Sequence, residues 1–263
     1  MLERFMGMFS SYVDGYLTGD PLDVERLALK RDHSLRVLDE ARMITQAVGI
    51  TGELAESIHV AALLHDVGRF PQYAAHRTFR DAVSVNHARL GTRVLRRMGM
   101  LAHLPPRTRS LILGAIIMHN RLALPRAVAA AAPDDPLSLA ARVVRDADKL
   151  DILRVMVEHF DQAGGLDEVV TMGLPERPGD FSPELVEPIM RGRVGYYQDM
   201  RCINDLRLLL ISWVHDFNFP ASVRAVFHRG LLVRLFAGLP SAKEITSARE
   251  RVFRLAPCGE NCA

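Results

Sequence analysis

Apolar residues return at spacings of three and four along nearly the whole chain, and apolar–polar alternations long enough for a strand are hard to find. This is the period of an α-helix, so the fold is expected to be all-α. Helix boundaries are well marked: Gly49 and Gly52 bound one segment, Gly68 and Pro71 another, Pro105 and Pro106 a third, and the "PDDP" stretch at 133–136 a fourth. The stretch from Gly164 to Pro183 is rich in Gly and Pro and reads as the main boundary. The expected organisation is a helical domain over 1–160, a C-terminal helical extension over 161–255 packed on it, and a flexible tail over 256–263.

A chain of 263 residues that is 49% hydrophobic and 24% charged can bury a sizeable core. No apolar run is long enough to cross a bilayer, and the N-terminus lacks the basic start and apolar centre of a signal peptide, so a cytoplasmic protein with no membrane contact is expected. Leu2, Phe5, Met6, Phe9, Tyr12, Val13 and Tyr16 fall at helical spacing and read as a docking helix of the core. A formal net charge of +2 with only short arginine clusters gives no clear nucleic-acid footprint. The three cysteines are too few for a disulfide framework, and Cys258 and Cys262 have no second pair to complete a zinc site.

Chemistry enters where polar side chains interrupt the apolar stripes. A His-Asp dipeptide is expected about once by chance in such a chain. This one has two, His65-Asp66 and His215-Asp216, and each can be judged by its surroundings. His65 continues the stripe Leu54, Ile58, Ala61, so it should face the core, and Gly68 suits the left-handed residue that closes a helix. His33 leads the stripe Val37, Ala41, Ile44, Val48. His87 heads Gly91, Val94, Met98 near a helix start that Ser84 could cap, and His119 follows Ile112, Ala115, Ile116. Asp148 continues Ala141 and Val144 towards Ile152 and Val155; a carboxylate there is expensive unless paired or bound to metal. Asp146 falls on another face, and Asp151, one turn on, could support a ligand from behind. His215-Asp216 brings no comparable company and is assigned a structural role.

His33, then "HD" at 65 and 66, then Asp148 inside "DADKLD", resembles the HD superfamily of metal-dependent phosphohydrolases, an all-helical fold. Adding His87 and His119 gives the order H, HD, H, H, D, similar to its two-metal branches. The resemblance covers roughly residues 20–160 and implies an HD-domain helical bundle with an additional C-terminal helical layer. Arg69 stands where the HD-GYP branch has Lys, and no "GYP" triplet appears, so cyclic di-GMP is not a supported substrate. The stretch "TFRDAVSVNHARLG" resembles uncharacterised bacterial HD hydrolases.

Carried over by position, His33, His65, Asp66 and Asp148 would hold a first divalent transition metal, and Asp66 would bridge to a second held by His87 and His119. Imidazole and carboxylate ligands suit Fe, Mn, Co, Ni or Zn. The implied activity is hydrolysis of a small phosphorylated substrate, a phosphomonoester or phosphodiester with nucleotides as candidates, by attack of a metal-bound hydroxide that Asp66 orients. Lys149 and Arg69 are placed to stabilise phosphate charge, or else are solvated surface cations; Asn120 and His76 are further candidates for substrate contact. Two other readings stay open: a mixed-valence di-iron oxygenase on the same ligands, and a non-catalytic nucleotide-binding signalling module.

Overall fold

The computed structural model describes residues 1–162 and 165–257, so Cys258, Cys262 and their tail lie outside the described residues. Every regular element among them is a helix, as the periodicity predicts. The chain divides into two compact units, Met1–Asp151 and Ile152–Ala263. No described helix is long and apolar enough to cross a membrane.

The first unit contains α1 (Leu2–Asp14), α2 (Pro21–Ala47), α3 (Gly52–Leu64), α4 (Arg69–His76), α5 (His87–Arg97), α6 (Pro106–Met118), α7 (Arg126–Ala129) and most of α8 (Pro136–Phe160). Asp20 caps α2 by accepting from the Leu22 and Asp23 amides, with Pro21 pre-set for the first turn. Gly49 and Gly52, at φ 74° and 65°, turn the chain between α2 and α3 through the left-handed region.

The centre of this unit is α3, which packs against α1, α2 and α6. From Val60 to Leu64 every residue is fully buried, so the C-terminal end of this helix is apolar all round, where the sequence suggested a single stripe, while Glu53 and Glu56 at its start are exposed. Val60, Leu63 and Leu64 each contribute on the order of 1.5–3 kcal/mol of burial. α1 docks as expected through Phe5, Phe9, Tyr12 and Val13, and the Tyr12 hydroxyl donates to the Val67 carbonyl at 2.9 Å. Other stripes end earlier than the spacing suggests. Val48 and Met98 are exposed, and α5 buries Ala88, Thr92 and Leu95 along with His87 and Gly91.

The second unit contains α9 (Pro183–Met190), α10 (Ile203–Ser212), α11 (Pro220–His228), α12 (Leu231–Ala237) and α13 (Lys243–Phe253). α10 is its buried centre, packed against α9 and α12. The fully buried Asp205 accepts from the amides of Ser182, Arg201 and Cys202 and from the Ser182 hydroxyl, and so fixes the start of α10. The described residues between α8 and α9 form turns without an α-helix.

Candidate metal centre

Five elements each deliver one end of the site. His33 lies in the middle of α2; His65 and Asp66 follow the last residue of α3; His87 is the first residue of α5; His119 follows α6; Asp148 lies in the middle of α8. The four imidazoles and Asp66 are buried, while 16% of the Asp148 side chain remains exposed. These six side chains, separated by up to 115 residues, meet in one cluster.

Their mutual geometry is ordered. His33 Nε2 and His65 Nε2 are 3.3 Å apart, and His87 Nε2 and His119 Nε2 are 2.9 Å apart. Asp66 lies between the pairs and gives one oxygen to each: Oδ2 is 3.8 Å from both His33 Nε2 and His65 Nε2, and Oδ1 is 3.3 Å from His87 Nε2 and 3.8 Å from His119 Nε2. Asp148 Oδ1 is 3.1 Å from His33 Nε2 and 3.5 Å from His65 Nε2. Three overlapping triads, His33/His65/Asp66, His65/His119/Asp148 and Asp66/His87/His119, hold their donor atoms within 4.8 Å of one another and could each hold an ion.

The far side of every ring is fixed. Nδ1 donates to Asp151 Oδ2 at 2.7 Å in His33, to the Ala62 carbonyl at 2.7 Å in His65, to Asp81 Oδ2 at 2.8 Å in His87, and to the Ile116 carbonyl at 2.6 Å in His119. Carboxylates and carbonyls only accept, so each Nδ1 carries a proton and each Nε2 is the nitrogen turned to the centre, where it can ligate once unprotonated. Two Nε2 atoms this close need a proton or a cation between them. That is the tautomer and second contact of a metal-ligating histidine, and the donor set fits a divalent transition metal.

Electrostatics agree. Burial would raise Asp66, but Lys30, His65, Arg69 and His87 outweigh it and hold the carboxyl well below the usual range. Asp148 is likewise held low against burial by its contacts to His33 and His65. Burial would lower His65, yet Asp66 and Asp148 push it up. His119 is brought down to about 3 by burial and then by the charges of His65 and His87. The carboxylates therefore stay ionised and draw positive charge to the centre of the cluster.

Two cations flank Asp66. Arg69 Nε is 3.4 Å from Oδ1, and Lys30 Nζ is 3.2 Å from Oδ2. Sequence reasoning singled out Arg69 and missed Lys30, although Lys30 stands one helical turn before His33 on the same face of α2. Lys149 follows Asp148 on α8 and is partly exposed. Asn120 is turned towards Asp81, its amide donating to Oδ2 at 3.1 Å. His76 is exposed on the last turn of α4, and no hydrogen bond among the described residues joins it to the cluster. His215 lies in the second unit within the 3-10 segment Trp213–Asp216, where it meets the Ile189 carbonyl.

Three local expectations are corrected. Gly68 has φ −71°, so it is not a left-handed closing residue. Its small size matters instead, because a Cβ there would lie 2.1 Å from the His87 carbonyl oxygen and 2.6 Å from the Gly91 amide. The turn carrying His65 and Asp66 can approach the start of α5 only without a side chain at 68. The cap of α5 is Asn86, accepting from the Arg89 amide at 2.9 Å, while the Ser84 hydroxyl donates to the Arg80 carbonyl. On α8 the fully buried acids are Asp146 and Asp151 rather than Asp148, and Ile152 and Val155 are half-exposed, because this helix buries more than one face.

An all-helical domain that converges four imidazoles and two carboxylates on one centre belongs to the class of helical proteins with a site able to hold divalent metal. Residues 31–153 match the sequence model of the HD domain family. HD domains bind divalent metals and are commonly hydrolases. All six cluster residues fall inside the matched segment, and Lys30 lies one residue before it. Comparison with curated proteins and with solved structures gave no match.

Proposed function

We propose that this protein is a metal-dependent phosphohydrolase acting on a small phosphomonoester or phosphodiester, with nucleotides as the first class to test. The observation that carries the reading is Asp66, which turns one oxygen to the His33/His65 pair and the other to the His87/His119 pair. His33, His65, Asp66 and Asp148 would hold one ion, and Asp66, His87 and His119 a second. When bound, such ions supply Lewis acidity and an activated water for displacement at phosphorus.

The chain's own residues supply orientation and charge. Fixed Nδ1 contacts hold the four rings without rearrangement, so the site is pre-organised. Lys30 and Arg69 stand on opposite oxygens of Asp66, where both can meet the non-bridging oxygens of a phosphate. With Lys149 they favour an anionic substrate.

The test is metal analysis of the anaerobically purified full-length protein, followed by phosphate release from nucleotide mono-, di- and cyclic phosphates with Mn, Fe, Co, Ni and Zn. Expected is hydrolysis that needs a divalent metal and is lost, together with bound metal, in Asp148→Ala. Turnover that requires dioxygen, or an Asp148→Ala protein of retained fold that keeps both metal and activity, would overturn the reading.

A further inference from the structure

Asp81 is not one of the six converging residues, yet four side chains around the site, Arg69, Gln72, His87 and Asn120, converge on it. It opens a 3-10 turn, Asp81–Val83, between α4 and α5, and 28% of its side chain is exposed. Both its oxygens reach His87 Nδ1, at 2.9 and 2.8 Å. Oδ1 also accepts from Arg69 Nη1 at 3.0 Å and from Gln72 Nε2 at 2.9 Å, and Oδ2 accepts from Asn120 Nδ2 at 3.1 Å. These partners come from α4, from the start of α5 and from the turn after α6.

The bond to His87 is made on the Nδ1 side, so the imidazole ring stands between Asp81 and the centre where the Nε2 atoms meet. Asp81 therefore acts through its partners. Fully buried Gln72 keeps it in place, donating also to Ser84 Oγ and the Val85 carbonyl, both at 2.9 Å, which ties down the segment after the turn. Arg69 Nη1 further donates to Gln72 Oε1 and to the Phe79 carbonyl, so one end of the guanidinium is anchored while Nε faces Asp66.

The opposite half of the cluster has a parallel arrangement. Asp151 takes His33 Nδ1 at 2.7 Å and Arg36 Nε at 2.8 Å, but it is fully buried within a long helix. Each half thus has one histidine held by a carboxylate and one held by its own helix's carbonyl. The His87 half takes its carboxylate from a partly exposed turn, and there the same carboxylate also holds Arg69, a cation that faces Asp66.

We infer that Asp81 is the positioning residue of the His87/His119 half: it sets the His87 ring for an ion shared with Asp66 and, through Arg69, sets the side chain that meets the anionic group of the substrate. This rests on the metal reading above. Supporting partners of this kind are worth about 10–100-fold in metal affinity.

The test is Mn(II) titration of metal-depleted full-length protein, followed by elemental analysis after gel filtration, for wild type, Asp81→Ala, Asp81→Asn, His87→Ala and Asp151→Asn. Asp81→Ala is expected to weaken the same ion that His87→Ala weakens, by about 10–100-fold and less than His87→Ala does, while the other ion keeps wild-type affinity. Asp81→Asn, which keeps one accepting oxygen and the side-chain shape, should fall between and decides the matter if the alanine variant does not fold. Asp151→Asn should weaken the other ion. Wild-type uptake in both the Asp81 variants overturns the inference alone, as does equal weakening of both ions. A wild-type protein that takes up no ion overturns the metal reading and this inference with it.

Discussion

His33 on α2 donates from Nδ1 to Asp151 on α8 at 2.7 Å, across 118 residues of sequence, and Arg36 holds the other Asp151 oxygen at 2.8 Å. The contact closes the ring of elements around the cluster and fixes which nitrogen of His33 faces inward. Burial would raise the Asp151 carboxyl, but the bonds from His33 and Arg36 pull it well below the usual range, so it stays an acceptor throughout the neutral range.

Replacing that acceptor should misdirect His33 without emptying the core. Asp151→Asn is expected to weaken metal binding about 10–100-fold. Calorimetric titration of the metal-depleted protein with Mn(II) measures it, and wild-type affinity would show that the carboxylate is merely a packing element.

Lys30 should act on substrate rather than on metal retention. Lys30→Gln removes the charge 3.2 Å from Asp66 Oδ2 and keeps most of the side-chain shape. An approximately tenfold rise in KM, near 1.4 kcal/mol, is expected with metal content unchanged. Steady-state kinetics beside elemental analysis separates the two; loss of metal with unchanged KM would place Lys30 in the support of Asp66.

Gly68→Ala tests how closely the metal-bearing turn meets α5. The added Cβ would fall 2.1 Å from a backbone oxygen, which has no rotamer with which to yield. A loss of about 1–3 kcal/mol is expected, lowering Tm by roughly 2–4 °C per kcal/mol in a chain of this size. Thermal unfolding followed by circular dichroism checks it, and an unchanged Tm would mean the approach is looser than the structure has it.

The second His-Asp pair should be silent in chemistry. His215 lies in the second unit, half-buried, with its pKa lowered by burial and then by the charge of Arg251. His215→Ala is expected to leave metal content and turnover within error, as elemental analysis and the phosphate-release assay would show. A large loss of either would mean the first pair is the wrong one.

Much is legible in the sequence because helical period and apolar patterning are local properties. A histidine that continues an apolar stripe must face inward, and four such histidines, with Asp148 on a stripe of its own and Asp66 beside His65, suffice to propose the six converging side chains. The spacing of single stripes was less reliable. α3 and α8 are buried on several faces, so Asp146 and Asp151 are more enclosed than Asp148, and Val48 and Met98 emerge into solvent where their helices end.

The sequence by itself therefore determined the helical class, the inward direction of the four imidazoles and the segments that carry them. Only the tertiary structure decided that each Nδ1 meets an acceptor, that Asp66 turns an oxygen to each histidine pair, and that Lys30 and Asp81 join the site. The reason is physical: the period of a helix is written in neighbours three and four residues apart, whereas ring orientation and ion pairing depend on which helices meet and how near they come. At Gly68 that distance is set by the one side chain small enough to let two backbones touch.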